Sequence, residues 1–158
     1  HAAAAQALPG GETGCIVSLA DKARARGLGD VVTVLGHRED VPGILAPSDL
    51  VVAASYAGLG LTGSIREALA VETPVVATDL EGMPELIVDG ETGVLVPPRN
   101  PEALGQAILR MLENPARAKA MARAGRKRVE AQFSLTAKLD RTEALYARLV
   151  AQAEGDAP

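Results

Sequence analysis

The stretch from Leu50 to Pro98, LVVAASYAGLGLTGSIREALAVETPVVATDLEGMPELIVDGETGVLVPP, decides the fold of this 158-residue chain. An apolar run ends in a glycine-rich turn, a helical segment follows, and two further apolar runs come after it. Short apolar runs separated by helices indicate a parallel sheet that is buried on both faces. A glycine turn between strand and helix leaves backbone N–H groups at a helix start, where anions bind well. The stretch therefore predicts a site for a nucleotide-type ligand.

Strand and helix segments alternate along the rest of the chain as well. We predict strands at Val31–Leu35, Leu50–Ala54, Pro74–Thr78 and Val94–Val96. We predict helices at Cys15–Arg26, Val41–Ala46, Ser64–Val71, Pro84–Val88, after Asn100, at Pro115–Gln132 and, as a C-terminal helix, at 134–153. This order is typical of an α/β fold with a doubly wound parallel sheet, whose ligands lie beyond the carboxyl ends of the strands. The loops expected to bind a ligand are therefore Gly36–Asp40, Ser55–Gly63 and Asp79–Glu85.

Local signals mark several helix ends. Asn100-Pro101-Glu102 combines an N-cap, a proline in the first turn and an acid near the positive end of the helix. Gly27 predicts the end of the first helix and Ser134 the N-cap of the last one. The expected inward positions are Leu104, Ile108 and Leu112 on one helix, and Leu135, Leu139, Leu145 and Leu149 on the last.

Composition limits the function classes. The length predicts one domain over residues 1–158, with residues 1–14 as an irregular or cut edge. Apolar residues are 47% of the chain and aromatic residues 2%, so the core must consist of Val, Leu, Ile and Ala. A net charge of -4 argues against general nucleic-acid binding. The single Cys15 excludes an internal disulfide and a zinc cluster, and the lack of a long apolar stretch leads us to expect a soluble, cytoplasmic chain.

Several ordered motifs resemble one family. They are Ser55 with the run from Gly58 to Ala70, Thr73-Pro74-Val75-Val76-Ala77-Thr78-Asp79, Pro84-Glu85-Leu86-Ile87 with Gly90, and Thr92 to Pro98. The earlier segment Val34–Pro42 and the later pair Phe133-Ser134 fit the same pattern. Together they resemble the C-terminal half of retaining glycosyltransferases of the GT-B fold, family 4 (group 1), over about Asp21 to Val150.

The resemblance implies a nucleotide-sugar-binding domain. In the family this domain holds a nucleoside-diphosphate sugar as donor, an N-terminal domain holds the acceptor, and transfer is metal-independent and retains the anomeric configuration. No cofactor besides the donor substrate is implied. We expect the chain to be a fragment, truncated on its N-terminal side and inactive alone. It lacks the acceptor domain, the first strand and the Arg and Lys that would neutralise the diphosphate.

Glu67 matches the second glutamate of the family's pair, which holds the ribose hydroxyls. A carboxylate suits this task because it accepts two hydrogen bonds. The alternative is structural: Ser64-Ile65-Arg66-Glu67 has the pattern of a capping box. The first glutamate of the pair is absent, since Leu59 or Ala57 stands in its place. The catalytic residue therefore stays unassigned.

The remaining predicted substrate-binding residues lie in two loops. Glycines would let backbone N–H groups approach phosphate and sugar oxygens, and hydroxyls at the helix start would add to them. These residues are Gly58, Gly60, Leu61, Thr62, Gly63 and Ser64. His37 and Arg38 fall in the family's base-contacting loop, and no metal ligand accompanies His37. The alternatives are an ordinary glycine turn and an exposed loop pair.

Charges elsewhere leave other functions open. Glu72 and Glu81 stand where the family often has glycine, the first after a helix end and the second in the turn facing the donor sugar. A basic run suggests either contact with an anionic membrane or a solvated helix face. It comprises Arg110, Arg117, Lys119, Arg123, Arg126, Lys127 and Arg128. The alternative function is a non-catalytic α/β binding or regulatory module, and a third is a sugar-nucleotide epimerase.

Overall fold

A computed structural model describes residues 13–57 and 63–155. The chain divides into two compact units, of which the first ends at Asp40 and the second begins at Val41. The first contains α1 (Thr13–Ala25). The second contains α2 (Val41–Leu45), β1 (Val51–Ala53), α3 (Gly63–Ala70), β2 (Val75–Thr78), α4 (Met83–Leu86), β3 (Val94–Val96), α5 (Pro101–Glu113), α6 (Pro115–Phe133) and α7 (Leu135–Gly155). No helix in these residues is long and apolar enough to cross a membrane.

In the first unit, α1 ends as its sequence predicts. Gly27 has a left-handed backbone with φ of 70°. The N–H of Leu28 donates to the carbonyl of Ala23 (2.9 Å), and the N–H of Gly27 donates to that of Arg24 (3.0 Å). This pair of bonds is the Schellman arrangement, which satisfies carbonyls at the helix end.

The predicted strand Val31–Leu35 is wrong. The N–H groups of Val31 and Val32 both donate to the carbonyl of Leu28, at 3.1 and 3.0 Å, so they belong to a turn. Val31 is 77% exposed. Apolar β-branched residues fit a strand only where a neighbouring strand covers them and pairs with their backbone. The structure gives this segment no such neighbour among the described residues.

The second unit is built on a parallel sheet of three strands in the order β1-β2-β3. Val52 pairs with Val76, and Ala77 pairs with Leu95. All four residues of β2 are buried. A central strand covered on both faces has no polar side to present, which explains the continuous apolar run at this point.

Helices cover both faces of this sheet, as predicted. Alternate residues of a strand point to opposite faces. Val75 and Ala77 share a buried cluster with Leu69 of α3 on one face. Val76 shares another with Met111 of α5 on the other face. The fold is therefore an α/β parallel sheet between helices.

Gly125 brings α6 close to α3. A Cβ built on this residue would stand 2.5 Å from Leu69 Cδ2 and 3.0 Å from the carbonyl oxygen of Thr92. No side chain larger than hydrogen fits there without movement of its neighbours. The glycine therefore allows α6 to pack tightly against the helix that carries Glu67.

The predicted N-caps are confirmed. The N–H of Ala103 donates to Oδ1 of Asn100 at 3.0 Å, and the N–H of Ala137 donates to Oγ of Ser134 at 3.2 Å. Each bond satisfies one backbone donor that has no partner within its own helix. These caps fix the starts of α5 and α7.

The predicted inward face of α5 needs correction. Leu112 is 49% exposed, whereas Ala107 and Met111 are buried against the sheet. The small Ala107 lets the helix lie close to the strands, so the buried stripe is displaced by one residue from the expected one. Leu104 packs partly buried against the same cluster.

The leucines of α7 do not point inward, which contradicts the sequence prediction. Their exposed fractions run from 43% to 72%, and the residues are Leu135, Leu139, Leu145 and Leu149. This helix packs mainly against α6, which covers little of its surface. Helical spacing identifies an apolar face but not the element that covers it. The prediction failed for that reason.

Candidate functional site

The three strands end at one edge of the sheet because they are parallel. The connection after β1 leads to α3, the connection after β2 leads to α4, and the connection after β3 leads to α5. Ligands of open α/β sheets bind outside this carboxyl edge. A ligand site is therefore expected at the start of α3.

The carboxylate of Glu67 lies beside the start of α3. Glu67 and Gly63 are both exposed, and Oε1 of Glu67 is 3.8 Å from the point where a Cβ on Gly63 would stand. Residues four apart share a helix face, and helical side chains lean toward the N-terminus. The Glu67 side chain therefore extends from the second turn of α3 back to the first turn. Its carboxylate faces solvent at the positive end of the helix dipole.

The capping-box alternative for Glu67 does not match this helix start. The helix begins at Gly63, so Ser64 is its second residue rather than its N-cap. A capping box needs Ser at the N-cap and Glu at the third helical position. Among the described residues, the structure gives Glu67 no side-chain hydrogen bond to Ser64. The carboxylate is thus open to a ligand on its exposed side.

Gly58, Gly60, Leu61 and Thr62 lie outside the described residues. The structure shows both ends of the predicted loop. Ser55 follows β1, Gly63 and Ser64 begin α3, and all three residues are exposed. Their role in binding stays a prediction.

Thr78 fixes the point where this loop leaves the sheet. Its buried hydroxyl donates to the carbonyl of Ser55 at 2.7 Å and lies 3.3 Å from that of Ala53. The end of β2 is thereby tied to the end of β1. Sequence reasoning missed this residue, although a Thr closing an otherwise apolar central strand was the available signal.

Arg99 brings a positive charge to the carboxyl edge. It follows β3, has a φ of 60°, and its guanidinium carbon lies 6.0 Å from the ring centroid of Tyr56. The loops after β1 and β3 therefore meet through a cation–π contact. Sequence reasoning missed both residues, because no local pattern shows that the loops after β1 and β3 meet.

The two unusual glutamates occupy different surroundings. Glu81 is exposed in the turn between β2 and α4, at the carboxyl edge. Glu72 has the predicted left-handed backbone, with φ of 59°, and ends α3. The N–H of Thr73 donates to the carbonyl of Ala68 at 2.8 Å, which completes a Schellman motif. Arg126 lies 3.5 Å from the Glu72 carboxylate.

Part of the basic run serves the fold. Nη2 of Arg128 donates to the carbonyl of Glu85 at 2.6 Å, and Nε donates to that of Leu86 at 3.2 Å. Arg126 Nε donates to Glu130 at 2.7 Å, and this bond raises the pKa of Arg126. Arg128 thus fixes α4 behind the Asp79–Glu85 loop.

His37 and Arg38 belong to the first unit, and Glu67 belongs to the second. Both are exposed. Arg38 donates from Nε and Nη2 to the two carboxylate oxygens of Asp40, at 2.8 and 2.7 Å. These hydrogen bonds raise the pKa of Arg38 and lower the pKa of Asp40. The binding role of the pair stays a prediction.

No three His, Cys, Asp or Glu side chains cluster closely enough to hold a metal ion in the part of the chain that the structure describes. The polar groups at the carboxyl edge include the carboxylates of Glu67 and Glu81, hydroxyls, a guanidinium and backbone N–H groups. These groups suit a sugar nucleotide, which carries both hydroxyls and a diphosphate.

Comparison with known proteins identifies the family that this chain matches. The family described as "Glycosyl transferases group 1" matches residues 7–114. Alpha-D-kanosaminyltransferase of Streptomyces kanamyceticus is 36% identical over 125 residues, which cover 77% of this chain and 32% of that protein. The chain thus spans about a third of the length of the curated relatives it matches.

Solved structures share the fold. Sucrose-phosphate synthase of Thermosynechococcus elongatus matches with a TM-score of 0.78 and 33% identity, over 86% of this chain and 34% of that one. Anabaena Alr3699/HepE, solved in complex with UDP-glucose, matches with a TM-score of 0.79 and 28% identity, over 87% of this chain and 38% of that one.

Proposed function

The chain belongs to the Glycosyl transferases group 1 family, and from this premise we propose that its second unit binds the nucleoside-diphosphate sugar of a glycosyltransferase. The observation that carries the proposal is the exposed carboxylate of Glu67 beside the start of α3. It stands at the carboxyl edge of a parallel sheet, where such ligands bind.

Two parts of the donor, the ribose and the diphosphate, have chemical counterparts at this edge. The carboxylate of Glu67 accepts hydrogen bonds from the two ribose hydroxyls. Backbone N–H groups and the dipole at the start of α3 attract the diphosphate. Arg99 adds a positive charge to the same edge. The complex of UDP-glucose with the Anabaena relative supports this class of ligand.

We further propose that the whole protein transfers the sugar with retention and without a metal ion. The negative charge that develops on the leaving diphosphate must then be met by fixed dipoles and cations. The helix start and Arg99 supply part of this stabilisation. The acceptor binds to a part of the protein other than the residues discussed for the donor.

One observation favours the second candidate, a non-catalytic binding module. Ala57, an exposed residue before α3, stands at one of the two positions that align with the family's first glutamate. Its side chain accepts no hydrogen bond. A binding or regulatory module of this kind would transfer no sugar, so turnover of the whole protein distinguishes the two functions.

Calorimetry with UDP and with GDP tests the proposal. We expect one of them to bind weakly, and Glu67→Gln to weaken that binding by about tenfold or more, because hydrogen bonds to a charged group contribute about 1.5–3 kcal/mol. The matched control is Glu113→Gln, which changes an exposed glutamate at the C-terminal end of α5. This variant should bind the nucleotide like the natural chain. Unchanged binding in Glu67→Gln would refute the ribose role. The absence of binding at millimolar concentrations of either nucleotide would refute the donor site.

A further inference from the structure

A groove lies where α3, the end of α6 and the first half of α7 meet. This groove has a volume of about 380 Å³. Its α3 wall is Arg66, one residue before Glu67. Consecutive helical residues point about 100° apart, so the groove and the Glu67 carboxylate occupy different sides of α3. The groove is therefore separate from the proposed donor site.

The groove carries positive charge that no acid of its lining balances. Its cations are Arg66, Lys138 and Arg141, and no carboxylate lines it. Among the described residues, none of the three forms an ion pair. Arg38 and Arg126 differ in this respect, since each is held by an acid. Three cations without such partners in one groove favour an anionic ligand.

Helical spacing brings the α7 cations to the same face. Lys138, Arg141 and Leu145 are three and four residues apart, so they line one side of the helix. Arg66 approaches from α3, on the opposite wall. An anion in the groove can thus be contacted from two helices at once. Thr142 also lines the groove, and its hydroxyl donates to the carbonyl of Lys138 at 2.8 Å.

Besides the polar amide of Gln132, the rest of the lining is apolar. Phe133, half-buried at the end of α6, and Leu145 both contribute to it. A free inorganic anion would use only the charged part, whereas small-molecule sites of this size usually combine apolar lining with a few polar groups. The ligand should therefore carry an apolar group next to its negative charge.

We propose that this groove binds a phosphate ester with an apolar substituent. Guanidinium groups match phosphate oxygens through paired N–H donors, and Lys138 adds a third positive charge. Phe133 and Leu145 receive the apolar part. The same chemistry occurs in a soluble phosphate ester and in the headgroup region of an anionic phospholipid. The proposal does not depend on the donor site, because it uses other residues.

Dihexanoyl phosphatidic acid, a short-chain soluble ester, is the probe, and inorganic phosphate is the comparison. Calorimetry should show that the ester binds more tightly than inorganic phosphate. Arg66→Gln, Lys138→Gln and Arg141→Gln should each weaken ester binding about five- to tenfold, as expected for loss of one charge-assisted contact. Arg148→Gln, an exposed arginine of α7 outside the lining, is the control and should leave binding unchanged. All four residues are exposed, and circular dichroism verifies that each variant keeps its helix content.

Leu145→Ala tests the apolar part separately. It should weaken binding of the ester and leave binding of inorganic phosphate as it was. Equal losses in Arg148→Gln and in the three groove variants would overturn the proposal, because they would show attraction by net charge alone. The absence of ester binding at millimolar concentration would overturn it as well.

Vesicle flotation then identifies the source of the ester. Phosphatidylcholine vesicles with about one fifth phosphatidic acid are compared with vesicles of phosphatidylcholine alone. Flotation only with the acidic vesicles, lost in the groove variants and kept in Arg148→Gln, supports a lipid headgroup. Binding of the soluble ester without flotation supports a soluble phosphate ester.

Discussion

Replacement of Gly125 by alanine should destabilise the second unit. The added Cβ would stand 2.5 Å from Leu69 Cδ2 and 3.0 Å from the carbonyl oxygen of Thr92. Leu69 is fully buried, so its side chain has little room to retreat, and the carbonyl belongs to the backbone. Either α6 moves away from α3 or the leucine leaves its preferred rotamer.

The size of the effect follows from two opposing contributions. Overpacking of a well-packed core costs about 1–3 kcal/mol. Alanine in a helix interior is favoured over glycine by about 1 kcal/mol. The net loss in the free energy of unfolding should be up to about 2 kcal/mol. For a chain of this length, each 1 kcal/mol lowers Tm by about 2–4 °C.

Gly105→Ala is the matched control. Gly105 also lies in a helix interior, in α5, but a Cβ there would meet nothing within 4 Å. This substitution should therefore raise the free energy of unfolding by up to about 1 kcal/mol. Urea unfolding followed by circular dichroism measures both variants. If Gly125→Ala is stabilised as much as Gly105→Ala, the close packing of α6 on α3 is refuted.

Three further effects are expected. Glu72→Gly should stabilise slightly, by less than about 1 kcal/mol in thermal unfolding, because relief of the left-handed backbone outweighs an exposed ion pair with Arg126; a lower Tm would contradict this. Asn100→Ala should cost about 1 kcal/mol in urea unfolding through loss of its N-cap bond, and an unchanged midpoint would argue against the cap. Carboxyl NMR should give Asp40 a pKa below the ordinary value of about 3.9. The contribution of Asp40 to stability is therefore complete above a pH of about 3.9 and is lost as the pH falls through the lowered pKa. Arg38→Gln should return the pKa of Asp40 toward normal, since the hydrogen bond from Arg38 is its main cause.

Features set by local chemistry were predictable from sequence. The strand–turn–helix order predicted the parallel sheet with helices on both faces, and the caps at Asn100 and Ser134 were confirmed. A cap depends on a side chain and a backbone donor a few residues away. Its signal therefore lies within one short segment.

Features set by distant partners were not predictable. Val31–Leu35 has the composition of a strand, but a strand also needs a neighbouring strand. The N–H groups of residues 31 and 32 instead donate to the carbonyl of Leu28 in a turn. The leucines of α7 have helical spacing, but their burial depends on what packs against them. Periodicity describes one element at a time, whereas burial is a property of two.

The candidate site shows the same division. The exposed Glu67 at a helix start after a parallel strand followed from the order of elements. The capping-box alternative for Glu67 needs Ser64 as the N-cap, whereas Ser64 is the second residue of α3, a difference that no short pattern resolves. Thr78 and Arg99 were missed because their partners, Ser55 and Tyr56, come from another strand's connection.

The most direct test of the ribose role of Glu67 is a double-mutant cycle in nucleotide affinity. The natural chain and Glu67→Gln are each titrated with UDP and with 2′,3′-dideoxy-UDP, which lacks the two ribose hydroxyls. We predict that the natural chain prefers UDP by about tenfold or more and that Glu67→Gln loses most of this preference, because the acid and the hydroxyls form the same hydrogen bonds. An equal preference for UDP in both proteins would contradict the assignment of Glu67 to the ribose.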